Sequence, residues 1–188
     1  EVPKIQPPEL KFSDVTKSAG ISFKHENGAY GDKLLPETMG SGCALFDFDN
    51  DGDQDMLFVN STRWAWDNRP PPEKPATMML YRNEGQGKFS DFTATAGLNI
   101  SFYGMGVACG DYDNDGDADL FFSAVGSSHL LRNDNGKYVE VTSEAGVGGE
   151  PDQWGSACGW FDFDNDGFLG LLVCNYLDYD YDRNIYCG

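Results

Sequence analysis

Short apolar runs alternate with acidic or glycine-rich stretches along this chain, and the runs have the length of strands rather than helices. Ala44-Leu45-Phe46 leads into an acidic stretch and Met56-Leu57-Phe58-Val59 leads out of it. Val107-Ala108-Cys109 and Leu120-Phe121-Phe122 repeat the arrangement, and Gly159-Trp160-Phe161 with Leu171-Leu172-Val173 repeats it again. Met78-Met79-Leu80-Tyr81 and Ser128-His129-Leu130-Leu131 predict third strands. Residues 89–93 and 138–142 alternate apolar and polar positions, which suits outer strands with one solvated face. Between third and fourth strands lie Gly85-Gln86-Gly87 and Asn135-Gly136, residues that accept the positive φ of a tight turn. No comparable stretch shows helical periodicity with caps.

The acidic stretches are themselves a repeat. Asp47-Phe48-Asp49-Asn50-Asp51-Gly52-Asp53-Gln54-Asp55 returns as Asp111-Tyr112-Asp113-Asn114-Asp115-Gly116-Asp117-Ala118-Asp119. The third copy is Asp162-Phe163-Asp164-Asn165-Asp166-Gly167-Phe168-Leu169-Gly170, without the last carboxylate. Leu80-Tyr81-Arg82-Asn83 recurs as Leu130-Leu131-Arg132-Asn133. Phe12-Ser13-Asp14-Val15-Thr16 with Ala19-Gly20 recurs at Phe89 and at Tyr138, each time closing on Ala-Gly. Periods of 64 and 51 residues between acidic motifs, with four strand signals per period, are those of β-propeller blades.

The expected fold is therefore all-β, in blades of four antiparallel strands. One blade spans 42–97 with a loop insertion at 61–77, a second spans 104–146, and 155–188 is an incomplete third. Residues 11–16 are expected as an orphan outer strand that completes the last blade and closes a ring. These pieces amount to about three blades, fewer than a closed propeller uses, so the chain reads as part of a longer one.

Composition supports this picture and adds chemistry. The 31 acidic residues against 13 basic ones give a net charge of −18, and the motifs hold 13 of those acids. Three divalent ions would bring the charge to −12, so much of the acidity reads as ligand rather than as a disordered acidic tail. Such a surface is unsuited to nucleic acid, which needs clustered Lys and Arg. A 40% hydrophobic content supports a packed core, and no run of 18 apolar residues is present to span a membrane.

Calcium is the expected cofactor, because it takes six to eight oxygen ligands in a forgiving geometry. Positions 1, 3, 5 and 9 of each motif offer carboxylates: Asp47, Asp49, Asp51 and Asp55, then Asp111, Asp113, Asp115 and Asp119, then Asp162, Asp164 and Asp166. Position 7 offers its backbone carbonyl, from Asp53, Asp117 and Phe168. Glycine at position 6 permits the left-handed turn. An EF-hand is excluded because its twelfth position wants Glu, and Phe58, Phe122 and Val173 stand there. Gly170 predicts weaker binding in the third loop, leaving two strong sites and one weakened one.

The ordered string Phe-x-Asp-Val-Thr, Ala-Gly-Ile, Met39-Gly40-Ser41-Gly42, Asp-Phe-Asp-Asn-Asp-Gly-Asp and Leu-Tyr-Arg-Asn resembles the FG-GAP/VCBS repeat proteins. More narrowly it is similar to the bacterial relatives of cartilage acidic protein, which often carry an ASPIC/UnbV segment. The resemblance runs from about residue 8 to the end. It implies a seven-bladed, integrin-α-like propeller with calcium in its blade loops, secreted, periplasmic or at the cell surface. It also implies that relatives continue beyond a Tyr-Cys-Gly like Tyr186-Cys187-Gly188. Gly170 departs from the pattern, and no ASPIC/UnbV segment occurs in this sequence.

Three functions compete. A protein- or glycan-binding or scaffold module would use exposed aromatics, with Trp64 and Trp66 in the insertion and Tyr176, Tyr179 and Tyr181 near the end as candidates. The bland alternative packs those rings onto neighbouring blades. An accessory subunit of a larger extracytoplasmic complex is the second reading. The third is a hydrolase or phosphatase, since Phe46-Asp47-Phe48-Asp49 is similar to the nucleophile motif of haloacid-dehalogenase-type enzymes. Three equivalent copies argue against a single nucleophile. The two histidines, His25 in a turn and His129 in a strand, read as solvated and packed residues respectively. Among the five cysteines no CxxC suggests zinc. Cys43, Cys109 and Cys158 read as small buried thiols. Cys174 and Cys187 flank a Tyr/Asp-rich loop and are candidates for a disulfide.

Overall fold

Ten strands form among residues 9–179, the part of the chain that this computed structural model describes. β1 (Cys43–Phe46), β2 (Asp55–Phe58), β3 (Met79–Asn83) and β4 (Phe89–Asp91) make one antiparallel sheet in that order. β5 (Gly104–Gly110), β6 (Asp119–Ala124), β7 (His129–Asn133) and β8 (Tyr138–Glu140) make a second of the same topology. β9 (Gln153–Phe161) and β10 (Gly170–Asp178) pair as a hairpin. Every apolar run named above falls in or beside one of these strands. The fold is thus nearly all-β, in propeller-like blades. No strand crosses residues 61–77, the expected insertion.

Register explains the packing. Side chains alternate across a strand, so β6 sends Leu120 and Phe122 to one face and Phe121 to the other. Leu120, Phe122 and Leu131 join Phe46, Phe48, Leu57 and Leu80 in a core between the first and second sheets. Phe121 and Leu130 pack with Trp160, Leu171 and Val173 of the β9–β10 hairpin. Because the second sheet is covered on both faces, all six residues of β6 are buried. That is why its sequence reads as a continuous apolar run instead of an alternation.

The first two Ala-Gly pairs each dock on the fourth strand of the following sheet, while a Cβ on Gly146 of the third would meet nothing within 4 Å among the described residues. Tyr138 N–H donates to Ala96 O (2.8 Å), and a Cβ on Gly97 would lie 3.0 Å from Tyr138 O. Gly20 approaches Phe89 O in the same way. The Thr before it acts instead within its own blade, where the Thr93 hydroxyl accepts Leu80 N–H (3.0 Å) and the Thr142 hydroxyl accepts Leu130 N–H (2.8 Å).

Several expectations need correcting. Residues 11–15 lie in no strand, and Thr16 opens a helical turn, α1 (Thr16–Ala19). Phe89 and Tyr138 pair with Asn83 and Asn133 of a third strand. Phe12 has no such strand beside it among the described residues and is 93% exposed. Two more single turns, α2 (Pro36–Met39) and α3 (Thr142–Ala145), escaped the periodicity argument because four residues cannot display a period. Cys43 is exposed, while Cys109 and Cys158 are half-buried, with burial pushing the Cys109 thiol up to about 12.

Candidate metal centre

The three acidic motifs are the β1–β2, β5–β6 and β9–β10 turns, so they lie at the same end of their blades. Each is organised by its own carboxylates. Asp47 accepts the amides of Asp51 (3.1 Å) and Gly52 (2.8 Å), and Asp51 accepts that of Asp53 (2.9 Å). Asp111 and Asp115 repeat these bonds on Asp115, Gly116 and Asp117, and Asp162 and Asp166 repeat them on Asp166, Gly167 and Phe168. Position 6 is left-handed as expected, with φ of +93°, +95° and +90° at Gly52, Gly116 and Gly167. Position 4 is left-handed too, at Asn50, Asn114 and Asn165. Asparagine tolerates that region better than most residues.

Position 9 has a distinct part. Asp55 accepts Phe48 N–H (3.1 Å) with one oxygen and Asn83 N–H (2.8 Å) with the other. Asp119 does the same for Tyr112 (2.9 Å) and Asn133 (2.8 Å). Both are fully buried struts joining the loop to the third strand. Burial pushes the Asp55 carboxyl up and that of Asp119 up to about 6, although the amide donors pull both back. Burial first and neighbouring aspartates second also raise Asp49 and Asp113. Gly170 leaves the third loop without this strut.

Oxygens of Asp47, Asp49 and Asp55 lie within 4.8 Å of one another, as do those of Asp111, Asp113 and Asp115 and of Asp162, Asp164 and Asp166. In the first loop Asp55 thus stands in the triplet where position 5, Asp51, was expected beside it; in the second, Asp119 stands outside. Asp49 Oδ1 is buried with no hydrogen-bond partner. A buried, unpaired carboxylate oxygen beside two other carboxylates is costly unless a cation shares the site. The donor set, all hard oxygens, fits calcium. At position 7, Asp117 is already engaged: its carboxylate accepts Asn50 Nδ2 (2.9 Å) and Asn135 N–H (2.8 Å). The Phe168 side chain is 57% exposed and its amide is bound to Asp166.

Asn50, Asn114 and Asn133 were not singled out by the ligand argument, which looked only for charge. Asn133 is fully buried and donates from Nδ2 to Phe48 O of the first loop (2.9 Å). The available signal was their recurrence at fixed repeat positions.

The aromatic candidates gather at the opposite end of the blades. Trp64 is buried, stacked on Tyr103 at 4.2 Å and on Trp66 at 4.9 Å, and its Nε1 donates to the buried Glu37 (2.9 Å). Tyr179 stacks on Trp64 at 5.7 Å and meets Trp154 edge-on at 5.8 Å. These rings pack the insertion against the strand starts, so the expectation that Trp64 faces a partner is corrected. Tyr176 remains 56% exposed against Trp154. Tyr181 and Cys187 lie outside the described residues, and with them the Cys174–Cys187 pairing.

Neither histidine sits among the carboxylates of the loops. His25 is half-buried rather than solvated, its Nε2 3.0 Å from Ser41 Oγ, and Ser41 Oγ donates to Gly104 O (2.7 Å). His129 stacks on Phe102 at 3.9 Å and its Nδ1 lies 2.7 Å from Glu140.

Residues 47–122 match the family model of the FG-GAP-like repeat. The match opens on the first carboxylate of loop one and ends in β6, so it takes in the first two acidic loops. This supports an FG-GAP repeat protein, a type typically extracellular and non-enzymatic. No curated protein matches the chain. Among the described residues no helix is long and apolar enough to cross a membrane.

Proposed function

We propose that the chain is a calcium-binding β-propeller module that works outside the cytoplasm as a protein- or glycan-binding scaffold rather than as an enzyme. The observation that carries the reading is the gathering of three carboxylates in each of three equivalent loops, with Asp49 Oδ1 buried and unpartnered in the first. Asp47, Asp49 and Asp55 would hold the ion in loop one, Asp111, Asp113 and Asp115 in loop two, and Asp162, Asp164 and Asp166 in loop three. A bound ion would neutralise like charges and tie together the ends of two strands, stabilising only the folded hairpin. Extracellular calcium suits the weak end of the range that such modules use. Kinship with the bacterial relatives of cartilage acidic protein rests on the ordered motifs from Phe12 to Asn83.

The partner surface moves from the tryptophans to a hollow of about 670 Å³ at the end of the first blade opposite its acidic loop. Lys24, Arg63 and Lys74 come to it from three segments, and the threonines Thr62 and Thr95 also line it. In a chain of −18, a concavity where three cations outnumber the carboxylates of Glu26 and Asp91 favours an anionic partner, with Lys24 and Lys74 carrying the surplus because Arg63 also lies 3.8 Å from Asp67. Calorimetry with calcium, then with uronate-bearing oligosaccharides, acidic peptides and neutral controls, tests both halves. Calcium heats absent at millimolar ion would refute the metal reading. Equal binding of neutral and anionic ligands, unchanged in Lys24→Glu/Lys74→Glu, would refute the surface.

A further inference from the structure

The position-4 asparagines reach out of their own loops. Asn50 Nδ2 donates to Gly116 O (3.2 Å) and to Asp117 Oδ1 (2.9 Å) in loop two. Asn114 Nδ2 donates to Gly167 O (3.1 Å) in loop three. The same atom of the same repeat position meets the same carbonyl of the following loop, twice. We propose that these side chains couple neighbouring calcium loops, so that ion binding in one raises the affinity of the next, and that loop three depends on loop two for its order. The coupling rests on the calcium reading above.

Position places each bond inside the ligand turn at both ends. Asn50 sits between Asp49 and Asp51 at φ +58°, and Asn114 between Asp113 and Asp115 at φ +60°. Their backbones cannot settle without orienting the flanking carboxylates. The receiving glycine lies between positions 5 and 7, where Asp115 accepts Asp117 N–H and Asp166 accepts Phe168 N–H. Ordering one turn therefore presents a fixed donor to the next, which then loses less freedom when it binds an ion. Linkage makes the effect reciprocal. Loop three has the most to gain, since Gly170 removed its internal strut and the Asn114 bond is what ties its glycine to a neighbour. One neutral hydrogen bond corresponds to about a two- to tenfold change in affinity.

Calcium titration of the whole chain, followed by heat and by the Gly167 amide resonance, provides the test. Asn114→Gly keeps the left-handed backbone open to it while removing the donor. We expect this variant to bind calcium about fivefold more weakly in loop three when loop two is filled, with the reciprocal loss in loop two when loop three is filled and loop one little altered. Asp113→Asn, which weakens loop two, should lower loop-three affinity by a similar factor, and Asn114→Gly added to it should do nothing further. A matching thermal midpoint, and hydrogen exchange altered only at residues 162–168, would exclude a folding defect. Unchanged loop-three affinity in Asn114→Gly, or the same loss whether loop two is filled or not, overturns the coupling while leaving the calcium reading intact. No calcium heat from any of the proteins sinks both.

Discussion

Loops two and three are near copies in sequence and differ sharply in surroundings. Around loop two, β5 and β6 belong to a four-stranded sheet packed on both faces, and Asp119 is buried where it bridges the loop to Asn133 on β7. Around loop three, β9 and β10 stand as a pair; Leu172 is 52% exposed, Phe163 71% and Phe168 57%. The turn itself survives the change: Asp162 accepts the same two amides as Asp111, at similar distances. So the acidic hairpin is a local structure, written in nine residues and formed with or without its strut. Its attachment to the rest of the blade is tertiary, and the ninth residue carries it.

That contrast can be broken most forcefully at Asp119. Replacing it by Ala orphans one buried amide and one half-buried one, each worth about 1–3 kcal/mol when buried, so urea unfolding should show a loss of about 2–5 kcal/mol. Asp162→Ala, in an exposed turn, should cost below about 1 kcal/mol, near the range of surface changes. Equal losses would mean the two loops are attached alike. Calcium chelation comes next. For a site with an affinity near the ambient millimolar ion, removal costs roughly 0.4 kcal/mol, so emptying all three loops costs roughly 1 kcal/mol, or about 2–4 °C in a domain of this size. A melting scan with and without chelator should resolve this, and the drop should shrink in an Asp113→Asn variant more than in Asp164→Asn.

Gly170→Asp sharpens the comparison from the other side. It restores the missing carboxylate, aimed at the amide of Phe163. A Cβ there would lie 2.9 Å from Phe163 Cδ1, on an exposed ring that can turn away, and 3.3 Å from the Phe161 carbonyl oxygen, which must give by a few tenths of an ångström. Loop-three calcium affinity should rise roughly tenfold, in line with the added ligand charge. The smallest expected effect is the pH dependence of His25, remote from every loop. Burial lowers its pKa below the ordinary 6.5, only partly offset by Glu26 beside it. The folded state thus holds the neutral ring, and its contribution is complete above about pH 6.5 and fades as pH falls through the lowered value. Melting points at pH 7.5 and 5.5 should converge slightly more in His25→Gln than in the parent; identical slopes would mean His25 titrates as it does unfolded.

Most of the strands were legible because each apolar run is bounded by a turn signal that recurs in register with its copies. The carboxylate triplets of the second and third loops were legible for the same reason, since Asp at alternate positions places side chains on one side of a tight turn. Trp64 was not. An aromatic in an irregular insertion carries no periodicity, and only the approach of Tyr103, Trp66 and Tyr179 from elsewhere in the chain buries it. Asn50 and Asn114 were hidden because an uncharged side chain announces nothing until its neighbour is in place.

By itself, then, the amino-acid sequence determined what is short-ranged: strand, turn, the left-handed glycine, the cluster of carboxylates within one loop. The tertiary structure alone decided which face of each strand is buried, that Asp55 and Asp119 are struts, and that one loop's asparagine completes the next. The reason is physical. Local geometry depends on residues a few bonds apart, whereas burial and cross-blade hydrogen bonds depend on which surfaces are brought together after tens of residues of intervening chain.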